Sequence, residues 1–239
     1  MFRWTARRQV EGITGFIREL VFGLEDGIVS TGGAVIGIAA GTGDWQVVIL
    51  SGLVIVIVEA LSMAAGTYLS GKSTRQLAEG RVGLKREAIE RDPEGERRKL
   101  AAEYRRRGFG EAEAEVLVGH MTRSREVWLE EMACKELGLS LGDLGGGSGN
   151  AGVMWVSYMV GGTVPIVPFL LLPVGAASAV AFGLSLVGLF AIGWWKARVT
   201  GTSAWRGGAE MMLVAAAAGV VGFIVGRLIG ALTGIDLTV

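Results

Sequence analysis

Apolar residues dominate five stretches of this chain, and between the second and the third the pattern turns densely charged. The apolar stretches cover residues 20–41, 45–70, 153–172, 175–195 and 208–232. Each has about the 20 residues that a helix needs to cross the roughly 30 Å hydrocarbon core of a bilayer. Residues 41–44, Gly-Thr-Gly-Asp, read as a tight turn between the first two. Pro173 and Val174 alone link the third to the fourth. Links this short force antiparallel neighbours. Pro165 and Pro168 interrupt the third stretch, because proline removes a helix hydrogen bond. The pattern predicts an all-α polytopic membrane protein with five transmembrane helices and a helical insert between helices two and three. Its parts are residues 1–70, the insert 71–149, and residues 150–239.

The insert reads as three helices. Its first stretch, 75–107, is charged, with Leu77, Leu84, Ile89 and Leu100 as sparse apolar positions. Asp92-Pro93 either breaks that stretch in two or starts a new turn, since the residue before a proline avoids the helical region. Gly108-Phe109-Gly110 ends it. Further helices are expected over 111–119 and 124–137, with Gly138 as C-cap and 145–149 as a flexible linker. No strand pattern and no internal repeat is evident.

Composition supports the membrane reading. Of 239 residues, 51% are hydrophobic, 39 are Gly and 4 are Pro, and mean hydropathy is +0.47. The net charge of zero points to no nucleic-acid partner. The placement of charge is more informative. Arg3, Arg7, Arg8 and Arg18 precede the first span, Lys196, Arg198 and Arg206 lie between the last two, and the insert carries 15 Lys and Arg. Residues 42–45, 173–176 and 233–239 carry none. By the positive-inside rule the N-terminus and the insert are expected in the cytoplasm and the C-terminus on the opposite side. Cys134 is the only cysteine and His120 the only histidine, which excludes an internal disulfide and a multi-His metal site. Di-iron carboxylate bundles use Glu-x-x-His motifs, so an enzyme of that kind is not expected. No GxxxxGK[ST] loop is present to drive a nucleotide-powered pump. No cleaved signal peptide is expected either.

Two carboxylates lie at membrane depth. Asp26 sits near the start of the first span and Glu59 inside the second. Such a group costs roughly 2.5–3.5 kcal/mol on insertion scales, so something must compensate it. Met63 follows Glu59 by four residues and shares its helix face. Hard carboxylate oxygens beside a soft thioether suit a divalent transition metal better than Mg²⁺ or Ca²⁺, which prefer all-oxygen ligands. Ser30 and Ser62 are additional oxygen donors. A blander reading makes Asp26 an interfacial cap and Met63 a packing residue, but it leaves Glu59 with no partner near it in sequence. In the insert, Glu87, Glu90 and Glu94 share one face, Glu96 and Glu103 stand seven apart on another, and Met132 and Glu136 repeat the four-residue Met/Glu spacing. With 15 acidic groups against 15 basic ones, a solvated, salt-bridged helix is the default for each of them. Gly222, Gly226 and Gly230 mark a face for helix packing or dimerisation.

Four segments together resemble the vacuolar iron transporter family. They are Asp26-Gly27-Ile28-Val29-Ser30-Thr31; Glu59-Ala60-Leu61-Ser62-Met63-Ala64-Ala65-Gly66-Thr67-Tyr68-Leu69-Ser70; Gly161-Gly162-Thr163-Val164-Pro165-Ile166-Val167-Pro168-Phe169; and Trp128-Leu129-Glu130-Glu131-Met132 with Glu136-Leu137-Gly138-Leu139. The resemblance implies a five-span homodimer that exchanges Fe²⁺, and often Mn²⁺, for protons, with a cytoplasmic helical domain that collects metal. It implies no cofactor beyond that cargo. The family's span-one aspartate falls on Asp26, its span-two methionine on Met63, its insert Met and Glu on Met132 and Glu136, and its first acidic pair near Glu87 and Glu90. Many relatives carry Glu where this chain has Thr67. The second acidic pair falls on Lys99 and Ala102, where Glu96 and Glu103 in a shifted register are the candidate replacements. The expected function is proton-coupled export of Fe²⁺ or Mn²⁺ from the cytoplasm. The alternative is a membrane-anchored metal buffer or sensor that does not transport.

Overall fold

The computed structural model describes residues 2–136 and 147–233, with side chains from 15 to 135 and from 149 to 232. The described residues form nine helices and no strand: α1 Phe2–Thr42, α2 Trp45–Arg91, α3 Pro93–Arg106, α4 Glu111–Met121, α5 Arg125–Glu136, α6 Gly147–Thr163, α7 Val167–Leu171, α8 Val174–Val199 and α9 Ala204–Thr233. They sort into two compact units, Met1–Gly12 with Leu69–Gly147 and Ile13–Tyr68 with Ser148–Val239.

Among the described residues four helices are long and apolar enough to cross a membrane: Gly15–Thr42 of α1, α2, α8 and Ala204–Leu232 of α9. The third apolar stretch is not a fifth continuous helix. It begins earlier than expected, at Gly147, so residues 147–149 belong to a helix and not to a linker. It breaks after Thr163 into a turn, with Val164 N–H donating to Gly161 O at 3.2 Å and Ile166 N–H to Thr163 O at 3.1 Å. Pro165 and Pro168 offer no amide hydrogen to carry the helix on, and only the short α7 follows. Val35, Ala39, Val48, Val56, Ile166, Phe169, Ala177 and Ala181 pack as one core, and Val21, Ile28, Leu189, Met211 and Ala215 as another.

Small residues let these helices touch backbone to backbone. A Cβ on Gly27 would stand 2.6 Å from Tyr158 O, and one on Gly161 2.5 Å from Leu24 O, so α1 and α6 meet without side chains between them. The face Gly222, Gly226, Gly230 is likewise spent inside the chain. A Cβ at Gly222 would overlap Gly33 O, one at Gly226 would overlap Gly37 O, and one at Gly230 would lie 2.8 Å from Gly41 O. Of the two uses expected for this face, helix packing is the one seen within the chain: α1 carries glycines in matching register.

No break in the backbone marks residue 71: the division between the two units falls inside α2, between Tyr68 and Leu69. α2 continues as one helix of 47 residues, about 70 Å at 1.5 Å per residue. An isolated Gly71 costs only about 1 kcal/mol, and no proline occurs before Pro93. There Asp92 caps α3, its carboxylate accepting from Gly95 N–H at 2.9 Å, with Pro93 in the first helical turn. The insert is therefore the tail of α2 plus three helices, where three in all were predicted. Gly108, at φ 95°, turns the chain between α3 and α4. Ile89, Leu100, Tyr104, Ala114, Val118, Trp128 and Met132 form the core. Leu77 and Leu84, the other apolar positions singled out, are exposed. The C-cap expected at Gly138 lies outside the described residues.

Candidate metal site

The membrane carboxylates are held by neighbours from two helices. On α1, Asp26 accepts a hydrogen bond at 3.2 Å from Ser30 Oγ, one turn further on. On α2, Glu59 accepts from the phenol of Tyr158, which α6 supplies 99 residues later in the chain. Tyr158 is fully buried, and the closeness of α1 and α6 at Gly27 sets it there. Asp26 and Glu59 lie near each other and near Tyr158, so the two hydrogen-bonded pairs stand side by side. Four oxygen-bearing side chains from α1, α2 and α6 thus converge, and both carboxylates remain partly exposed. Met63, half-buried, follows Glu59 on the same face one turn on. Together they offer anionic oxygens, two hydroxyls and a thioether, a donor set that can hold protons or a transition-metal dication.

Tyr158 is the member that sequence reasoning missed. Its only signal was a single phenol inside an apolar stretch, and nothing local to residue 158 points to residue 59. On α1, two turns before Asp26, Glu19 is buried, pairs with the exposed Arg18 at 2.7 Å, and its carbonyl accepts from Ser157 Oγ of α6 at 3.3 Å.

The residues expected to bind metal in the insert are not brought together in the same way. Glu87 is exposed. Glu90 faces Arg125 at 3.6 Å. Glu103 is held by Arg106 and by Arg107 at 3.0 Å, and these hydrogen bonds keep its carboxyl below the usual range. Glu96 is buried between Lys85 at 2.9 Å and Lys99 at 2.7 Å. Burial raises its pKa, but the two ammonium groups outweigh burial and hold the carboxyl below its ordinary value. Met132 lies in the apolar core, and Glu136 is in α5 with its side chain outside the described ones. Beside them, Tyr104 donates to Glu131 at 2.7 Å. Burial and that carboxylate push the phenol up. Among the described residues, no group of three or more His, Cys, Asp or Glu side chains is arranged to hold a metal ion.

A family model described as the VIT family matches residues 17–227. Vacuolar iron transporter 1 of Arabidopsis thaliana is 26% identical over 214 residues, which cover 89% of this chain and 86% of that protein. Vacuolar iron transporter 2 of Oryza sativa subsp. japonica is 27% identical over 208 residues, 87% and 85% of the two chains. A vacuolar iron transporter of Toxoplasma gondii is 27% identical over 233 residues, 93% and 77%.

Proposed function

The chain belongs to the VIT family, a family of transporters and not of enzymes, and from that premise we propose that it is a proton-coupled antiporter moving Fe²⁺ or Mn²⁺ out of the cytoplasm. The observation that carries the reading is the Glu59–Tyr158 bond beside the Asp26–Ser30 bond. It supports two carboxylates, on different helices, acting as one site. Asp26, Glu59 and Met63 are the metal ligands. Tyr158 and Ser30 orient the carboxylates through their hydroxyls. Each carboxylate binds a proton or shares a metal ion, so loading one species releases the other, and a proton gradient drives the cation uphill. Met63 favours a transition metal over Mg²⁺ and Ca²⁺.

The membrane arrangement follows from the same reading. α6 and α7 together make an interrupted fifth span; broken helices in membranes are tolerated where they are buried in protein or line a cavity. The Lys and Arg distribution puts the N-terminus and insert on the cytoplasmic side and the C-terminus opposite. The protein works as a homodimer.

The test is flux in liposomes under an imposed pH gradient with Fe²⁺, Mn²⁺, Mg²⁺ and Ca²⁺. Uptake of Fe²⁺ or Mn²⁺ that collapses with the gradient is expected. Metal binding without gradient-driven flux would make the protein a buffer or sensor instead.

A further inference from the structure

The insert's one buried acid among the described residues is Glu96, 3% exposed, and two lysines already occupy it. Lys85 comes from α2 and Lys99 from α3, either side of the Asp92 turn. Lys85 meets Glu96 Oε2 at 2.9 Å and Lys99 meets Oε1 at 2.7 Å. One ammonium is itself buried, at 8% exposed. A buried carboxylate must be compensated by charge and hydrogen bonds, and here each oxygen has its own cationic donor. The two ammonium groups bring the total charge of a dication. A metal ion arriving at Glu96 would have to displace one lysine and approach the other.

Several other carboxylates of the insert are paired as well. Glu90 has Arg125, Glu103 has Arg106 and Arg107, and Glu131 has Lys135 at 3.4 Å. The Met132 thioether is enclosed by Ile89, Leu100, Tyr104, Ala114, Val118 and Trp128. It is a core side chain and not an exposed donor.

We propose that Lys85 and Lys99 stand in this chain where a bound dication would stand at Glu96, so that the insert folds and stays closed without metal and holds no dication of its own. Its role is then that of a metal-independent helical domain, and cations reach the membrane site directly from solution. This does not depend on the proposed transport activity, because the test is read with the membrane ligands removed.

The test uses the full chain in detergent carrying D26N, E59Q and M63L, with MnCl2 at ten micromolar as the probe and equilibrium dialysis and thermal melting as readouts. The expected result is no bound Mn²⁺ and a melting temperature unchanged between Mn²⁺ and EDTA. Bound Mn²⁺ in this background overturns the proposal. Adding K85E and K99E should create at least one Mn²⁺ site per chain, lost again with E96Q. If that variant does not fold, K85A with K99A leaves Glu96 open, and Mn²⁺ should then raise its melting temperature. A folded variant of either kind that gains nothing from Mn²⁺ overturns the stand-in role. Wild-type gradient-driven flux combined with Mn²⁺ bound in the triple background would sink this proposal and leave the transport reading standing.

Discussion

At the scale of single residues, the hydroxyl of Tyr158 decides how Glu59 is presented. Tyr158→Phe keeps the ring that fills the space beside α1 and removes only the donor to Glu59. A hydrogen bond to a charged group contributes about 1.5–3 kcal/mol, so transport should fall roughly tenfold or more while the protein still inserts and folds. Initial rates of Fe²⁺ or Mn²⁺ flux against circular dichroism separate the two effects; an unchanged rate would remove Tyr158 from the site. Asp26→Ala, Glu59→Ala and Met63→Ala remove proposed ligands and should each abolish or strongly reduce exchange. Wild-type flux from all three would end the site assignment. Glu96 makes a different prediction. Its carboxyl is held below the ordinary value of 4.5 in the folded state by Lys99 and Lys85. A carboxyl depressed on folding contributes stability above its unfolded pKa and loses it as pH falls through the folded one. The insert should therefore weaken progressively below about pH 4.5. Glu96→Gln should flatten that acid limb when melting is followed against pH.

At the scale of helices, glycine register sets which elements can meet. α1 and α9 approach through Gly33, Gly37 and Gly41 against Gly222, Gly226 and Gly230. Leucine at 226 has nowhere to go, because the Cβ itself meets the backbone of Gly37. Overpacking costs about 1–3 kcal/mol in soluble cores, occasionally more, and here no side chain is available to yield. Gly226→Leu should lower the melting temperature of the single chain and its yield, whatever the oligomeric state. A variant that melts like wild type but changes only its mass by light scattering would return the face to a subunit contact. The opposite case is Gly66, where an added Cβ meets nothing within 4 Å. Gly66→Ala should be tolerated in yield and melting.

For the whole molecule, the charge asymmetry is a statement about sidedness that one thiol can test. Cys134 is the only cysteine and is partly exposed within α5. With the insert in the cytoplasm, a membrane-impermeant maleimide should label intact cells little and permeabilised cells fully. Labelling of intact cells would invert the topology. Adding Val239→Cys to a Cys134→Ser chain should give the reverse pattern if, as proposed, three spans lie between residue 134 and residue 239.

Much of this was legible because it depends on local composition. Long apolar stretches, the charged insert, the proline interruption at Pro165 and the break at Asp92-Pro93 follow from solvation and backbone stereochemistry, which act on neighbours in sequence. The segments around Asp26, Glu59 and Met63 carried the family for the same reason: the residue types and their spacing are written along single helices. Pairings between helices are written nowhere in one segment. Nothing before the fold linked Tyr158 to Glu59, matched Gly226 to Gly37, or set Lys85 and Lys99 on Glu96. The continuous α2 was hidden too, since the change from apolar to charged at residue 70 marks a change of surroundings and not of backbone. Sequence determined which residue types are present and on which helix; tertiary packing decided which carboxylates face hydroxyls and stay open to a cation, and which are closed by lysine and arginine.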